Sequence, residues 1–257
     1  MSEVIIVEKK PGYATLMLNR PEAKNALSRQ LRKAFVAAFE EFQRDEDINV
    51  VIVTGSGNAF CAGFDLKELA SSDSSAAEEA DNAMGRAMAA FDGPIIAAVN
   101  GYAVTGGFEL VLACDVIVAS TEAKFADTHA RVGILPGWGL SQKLPRMIGL
   151  SRAKQLSFTG NTIDAQRACE WGLVNEVLEP AQLLPHCEQL AQDMNSCIKP
   201  VIKQYKQMID DGFSMPLVDA LEFEEAKAIE SAKQASAAML AARREKVLER
   251  GRDQGKN

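Results

Sequence analysis

Residues 101–115, GYAVTGGFELVLACD, decide how the chain folds. An apolar segment, Pro94 to Val104, runs into the glycine pair Gly106-Gly107, and the apolar run Phe108 to Ala113 follows. That order predicts a strand turning sharply into a helix. Glycine permits the tight turn and leaves backbone amides open to a ligand. A helix starting there aims unbonded N–H groups and the positive end of its dipole forward, which suits developing negative charge. Glu109 stands one turn inside, among Phe108, Leu110, Val111 and Leu112. Its carboxylate is therefore expected to be at least partly buried, where a charge needs a partner or a task. Two readings are open here: a catalytic carboxylate, or a structural ion pair, for instance with Arg131.

Outward from this turn, composition limits the function classes. The chain has 257 residues, 47% hydrophobic and 25% charged, which is ordinary globular composition with room for a substantial core. A net charge of -7 and no long basic block argue against nucleic acid as a partner. Residues 1–10 hold a short VIIV run among charges, too brief for a signal peptide or a membrane span, so a cytoplasmic protein is expected. Cys61, Cys114, Cys169, Cys187 and Cys197 show no C-x-x-C spacing and read as reduced packing residues. Two histidines, His129 and His186, argue against a histidine-rich metal site, so no metal is expected.

Before the glycine turn, the apolar runs in residues 4–18 flank Lys9-Lys10-Pro11-Gly12, a hairpin signal. Leu27, Leu31, Ala34, Phe35, Ala38, Phe39 and Phe42 recur at helical spacing, with Asn25 or Ser28 as cap. Val50 to Val53 is a β-branched run closed by Gly55-Ser56-Gly57, the pattern of a buried strand. In residues 58–69, NAFCAGFDLKEL, Ala62-Gly63 precedes a helix beginning, where the N–H of Phe64 is expected to be free; a plain loop-to-helix turn is the alternative. Residues 70–83 are small and polar and read as a surface loop or a lightly held helix able to cover a pocket.

After the turn, Val116 to Ala119 and Lys124 to Ala126 read as strands, and residues 127–149 as a loop rich in glycine and proline. Two short helices follow, with Ser151 and Asp164 as caps and Gly160 and Gly172 as stops. Leu173 to Leu178 is the expected last strand. From Pro180 the pattern is helical throughout, rich in alanine and poor in large apolar residues, so docking on the main body or another subunit is expected. Residues 1–195 are assigned to a core and 196–257 to the helical C-terminal region.

Taken together, LNRPEAKNAL, VIVTGSGNAFCAGFDLKEL, PIIAAVNGYAVTGGFELVLACDVIVAS, AKFADTHARVGILPGWG and EWGLVNEVL resemble, in order and spacing, the crotonase (enoyl-CoA hydratase/isomerase) superfamily. The resemblance implies an α/β fold, a spiral of ββα units with a C-terminal helical trimerisation region, as a homotrimer or dimer of trimers. It implies an acyl-CoA thioester as ligand, with coenzyme A part of the substrate and no separate cofactor. By position, the N–H groups of Phe64 and Gly106 correspond to the oxyanion hole that holds the thioester carbonyl. Donors aimed there stabilise an enolate-like state, and losing one typically costs about 3 to 4 kcal/mol. Ala62, Asp65 and Leu66 fall where the family wraps the adenine and pantetheine, and Lys24 near the entrance taken by the phosphates. A solvated charge is the other reading of Lys24.

Glu109 falls on the first of the two glutamates used by the family's hydratases. Where the second belongs, four residues after Phe125, this chain has His129. A histidine titrating near its usual value of about 6.5 suits the acid role, and a hydrogen-bonded pocket residue is the alternative. His129→Glu would restore the family's carboxylate. In LPGWG, Gly137 matches the glycine whose backbone helps hold water, and Trp138 replaces a small residue. Trp138 either fills acyl space or packs in the core. Arg243, Arg244 and Lys246 read as a CoA-phosphate contact near a subunit boundary or as a solvated face. The resemblance implies an enoyl-CoA hydratase-like lyase; an isomerase or other single-carboxylate enzyme, and a non-catalytic acyl-CoA binding protein, are the alternatives.

Overall fold

In the computed structural model, which describes residues 3–71, 81–234 and 236–254, the VVIV run lies at the middle of a sheet buried on both faces. The strands are β1 (Ile5–Lys10), β2 (Gly12–Leu18), β3 (Ile48–Gly55), β4 (Ala59–Cys61), β5 (Ile95–Val99), β6 (Tyr102–Val104), β7 (Val116–Ser120), β8 (Lys124–Ala126), β9 (Ile163–Asp164) and β10 (Glu176–Leu178). Alternation along β3 sends Val51 and Val53 to the core containing helix Arg29–Arg44, and Val50 and Ile52 to the helix Pro180–Asn195. A strand covered on both sides reads as an unbroken apolar run, which is why this one does.

A six-stranded sheet runs β1-β2-β3-β5-β7-β10 and a four-stranded sheet runs β4-β6-β8-β9. β1 and β2 form the antiparallel hairpin, turning through Gly12 at φ 89°. Then β3, β5 and β7 add in parallel to the first sheet while β4, β6 and β8 add in parallel to the second. Each pair of consecutive strands is thus divided between two sheets before a helix returns the chain, which builds a spiral of ββα turns. The apolar segment Pro94 to Val104 is accordingly two strands, β5 and β6, because Asn100-Gly101 turns the chain from one sheet to the other.

Helix Arg29–Arg44 is capped by Ser28, whose side chain accepts from the N–H of Leu31. Asn25, fully buried, instead ties the preceding turn together through Arg20, Ser56 and Ala59. Asp164 caps helix Ala165–Glu170 by accepting from Arg167 N–H, whereas Ser151 lies inside helix Leu150–Thr159, for which Gly149 is the N-cap. Three other expectations are corrected. Residues 127–149 hold two helices, His129–Val132 and Leu140–Ile148, because Leu140, Leu144 and Ile148 recur every fourth residue and bury one face despite Pro145 inside. The last strand is Glu176–Leu178, with Leu173 and Val174 buried in the approach to it. Cys61 and Cys187 are buried thiols pushed up to about 12 by burial, but Cys197 is exposed, with its thiol on Asp193 O. Of the expected surface segment at 70–83, residues 72–80 lie outside the described residues.

The chain forms two compact units, Met1–Lys203 and Gln204–Asn257. All the strands among the described residues belong to the first. The second comprises the end of helix Lys199–Phe213 and helices Leu217–Gln234 and Ala237–Gln254. None of its described residues is fully buried, and Tyr205, Ile209, Phe213, Leu217 and Leu221 are exposed. No helix among the described residues is long and apolar enough to cross a membrane.

Candidate active site

The glycine turn joins β6 to helix Gly106–Leu112, and its geometry depends on residues that flank the glycines. Thr105 holds φ 52° and ψ -111°, a strained conformation for a residue with a side chain. It is kept there by its N–H on Ala126 O (2.9 Å) and by its hydroxyl, which bonds the hydroxyl of Thr128 and accepts from Thr128 N–H (3.3 Å). Gly107 is required for close approach, since a Cβ there would stand 2.2 Å from Cys61 O. Gly63, at φ 87°, would place a Cβ 3.3 Å from Gly106 N, so the two turns meet. A Cβ at Gly106 would lie 3.6 Å from the Phe64 ring. Phe64 and Gly106, distant in sequence, are therefore neighbours.

Glu109 is 2% exposed. Its Oε1 accepts from the N–H of Trp138 at 2.8 Å and of Leu140 at 3.4 Å. Gly139, between those amides at φ 105°, turns the chain so that both point at one oxygen. Its Oε2 lies 3.6 Å from Nε2 of His129, itself 3% exposed. The structural partner anticipated for Glu109, Arg131, is elsewhere: its Nε donates to Thr159 O at 2.7 Å. The Thr105–Thr128 tether holds the start of helix His129–Val132 beside the glycine turn, and with it His129 beside the glutamate.

The far side of the imidazole meets Asp127, 2% exposed, whose Oδ1 lies 2.7 Å from Nδ1 and accepts His129 N–H at 3.1 Å. Burial alone would lower the histidine pKa, but the hydrogen bond to Asp127 and the carboxyl group of Glu109 3.6 Å from Nε2 outweigh it and raise the group to about 9. For Asp127, burial opposes ionisation, yet the bonds from His129 and the Ser157 hydroxyl hold its carboxyl below the usual range. The imidazole thus stands between two buried carboxyl groups, with Asp127 against Nδ1 and Glu109 facing Nε2.

Trp138 is buried, with its ring centroid 5.1 Å from that of Phe64 at 63°, and the Arg32 guanidinium lies 5.3 Å over the other aromatic partner, Phe64. Trp138 is therefore a packed residue that borders the site. Gly137 is exposed, and the amides reaching Glu109 are those of Trp138 and Leu140. Lys24 is exposed with φ 50°; its O accepts Ala62 N–H at 3.0 Å, and its Nζ stands 5.2 Å over the Tyr102 ring, with Lys124 at 5.5 Å. Asp65 is committed to Arg20 at 3.0 Å, and Leu66 is 54% exposed. Arg243, Arg244 and Lys246 are exposed on helix Ala237–Gln254.

The family model described as enoyl-CoA hydratase/isomerase matches residues 8–250. The chain belongs to the enoyl-CoA hydratase/isomerase family. It is 40% identical to the probable peroxisomal enoyl-CoA hydratase 1 of Arabidopsis thaliana, over 89% of this chain and 87% of that one. It is 36% identical to the crotonyl-CoA hydratase of Syntrophomonas wolfei, over 86% and 87%. The crystal structure of an enoyl-CoA hydratase from Bacillus anthracis superposes with a TM-score of 0.88 at 34% identity, covering 95% of this chain and 96% of that one.

Within this family frame, sequence reading placed Phe64, Gly106, Glu109, His129 and Trp138, and the structure brings these five together. It missed Thr105, Thr128 and Asp127. The signal for Asp127 was the Asp-Thr-His run itself, an acid two residues before a histidine.

Proposed function

We propose that the protein is an enoyl-CoA hydratase, adding water reversibly across the double bond of a 2-enoyl-CoA. The observation that carries this reading is the buried Glu109–His129 pair, 3.6 Å apart beside the turn where Phe64 and Gly106 meet. The thioester oxygen accepts from the N–H groups of Phe64 and Gly106. Glu109 removes a proton from water as its oxygen bonds to Cβ, and the π electrons move to the thioester as an enolate. Charge develops where the donors are already aimed, so they favour the transition state over the bound substrate. His129 Nε2–H then protonates Cα, giving the 3-hydroxyacyl-CoA. Return of the proton from Glu109 to His129 restores both groups. The imidazolium takes the acid role of a second carboxylic acid, and the reading calls for no cofactor beyond the CoA of the substrate. Lys24, Ala62, Asp65 and Leu66 line the approach assigned to the CoA moiety, and Gly137 and Trp138 border the acyl end. Assembly as a homotrimer or dimer of trimers belongs to the same reading. It is supported by a groove of about 370 Å³ in the second unit, lined by Tyr205, Met208, Ile209, Phe213, Leu217 and Leu221.

The test is loss of the conjugated enoyl absorbance with crotonyl-CoA. Glu109→Gln is expected to slow it by about 100-fold to 10,000-fold, as is usual for an acid–base group. Conversion of a 3-enoyl-CoA with no hydration of the 2-enoyl ester would establish an isomerase instead; tight CoA-ester binding with neither reaction would establish a binding protein. Light scattering that reports a stable monomer would refute the assembly.

A further inference from the structure

We propose that Asp127 is a positioning residue for the reaction, holding the Nδ1 proton and the orientation of His129 so that the Nε2–H of the imidazolium points towards Glu109 and the substrate. This rests on the reading of His129 as proton donor. Two geometric facts and one electrostatic one support it. Asp127 Oδ1 takes both the backbone N–H and the Nδ1 of the same histidine, so the ring is clamped at its base and its far nitrogen. The Ser157 side chain, on helix Leu150–Thr159, favours the ionised form of the aspartate. Finally, Nε2 is left facing Glu109 Oε2.

Those contacts determine where protons can sit. An ionised carboxylate only accepts, so Nδ1 beside Asp127 must carry a proton. A neutral ring would then turn an Nε2 lone pair towards a second carboxyl group, which is unfavourable, while the imidazolium donates to Asp127 and presents its Nε2–H to Glu109 3.6 Å away. Among the described residues the charged groups against the ring are Asp127 from its own segment and Glu109 from helix Gly106–Leu112. Removing the charge of Asp127 should weaken the hold on the ring proton and leave Glu109 as the only counter-charge. Because Thr128, between Asp127 and His129, also tethers Thr105, the same three residues align the acid with the glycine turn.

The test uses the full chain. His186, on helix Pro180–Asn195, is replaced by Gln so that His129 is the one titrating imidazole seen by NMR. In that background Asp127→Asn, which keeps the shape and removes the charge, is expected to lower the His129 midpoint by at least about one pH unit. The alkaline limb of kcat/KM with crotonyl-CoA should move down by the same amount, and Asp127→Asn should cause no further loss when added to His129→Gln. A loss equal at every pH, with midpoint and limb unmoved, would overturn the proposal and make Asp127 merely structural. If His129→Gln leaves hydration unchanged, the donor reading fails, and Asp127 has no catalytic group to position; the NMR midpoint still shows separately whether it holds the ring. Should Asp127→Asn not fold, imidazole nitrogen shifts of the otherwise unaltered protein at ~pH 11 decide: the neutral ring must be protonated at Nδ1, and the Nε2–H tautomer would refute the clamp.

Discussion

Raising the pH removes the proton that His129 holds between its two carboxyl neighbours, and the cost can be worked from the structure. The histidine is raised from 6.5 to about 9 by its two carboxylate partners, against the opposing effect of burial. In this window the native state holds a proton that the unfolded chain has lost, so stability falls as pH rises. The contribution is complete below about pH 6.5 and gone above about pH 9, and a shift of this size corresponds to about 3 kcal/mol. The slope cannot exceed about 1.4 kcal/mol per pH unit for a single proton. Urea unfolding at a series of pH values, for the parent and for His129→Gln, isolates it, because other titrating groups are common to both. The parent should lose stability relative to the variant by about 3 kcal/mol across that range. Parallel stability curves between pH ~7 and ~9 would refute the claim that the native ring is an imidazolium.

Gly107→Ala is expected to give little or no folded protein, since its Cβ would meet Cys61 O at 2.2 Å, whereas Gly106→Ala, with nothing closer than 3.4 Å, should retain a thermal midpoint near the parent's. His129→Glu, attractive from the family pattern alone, would set a third buried carboxylate beside Asp127 and Glu109. It should hydrate crotonyl-CoA more slowly than the double variant Asp127→Asn/His129→Glu, by about tenfold or more, and unfold at lower urea. Trp138→Ala, which removes the ring packed 5.1 Å from Phe64, should cost about 3 to 5 kcal/mol by urea unfolding and raise activity on longer enoyl esters relative to crotonyl-CoA.

Much of the architecture was legible because it rests on local signals. The hairpin at Gly12, the cap at Ser28, the doubly buried run at Val50 to Val53 and the strand-to-helix turn at Gly106 each follow from residue type and short-range spacing. Helix Leu140–Ile148 escaped because Gly139 and Pro145 mark loops by composition, while the every-fourth-residue burial of Leu140, Leu144 and Ile148 becomes decisive only with a core to pack on.

Sequence by itself determined which groups are chemically able to act: one glutamate in an apolar helix, a histidine where a carboxylate is usual, and two glycine turns with amides to offer. Only the tertiary structure decided how those groups are charged and whom they face. Whether Glu109 pairs with Arg131 or His129 depends on the tether between Thr105 and Thr128, and the protonation of His129 depends on Asp127 and Glu109 approaching it from opposite sides. Electrostatic coupling falls with distance and grows with burial, and neither quantity is written in the order of the residues.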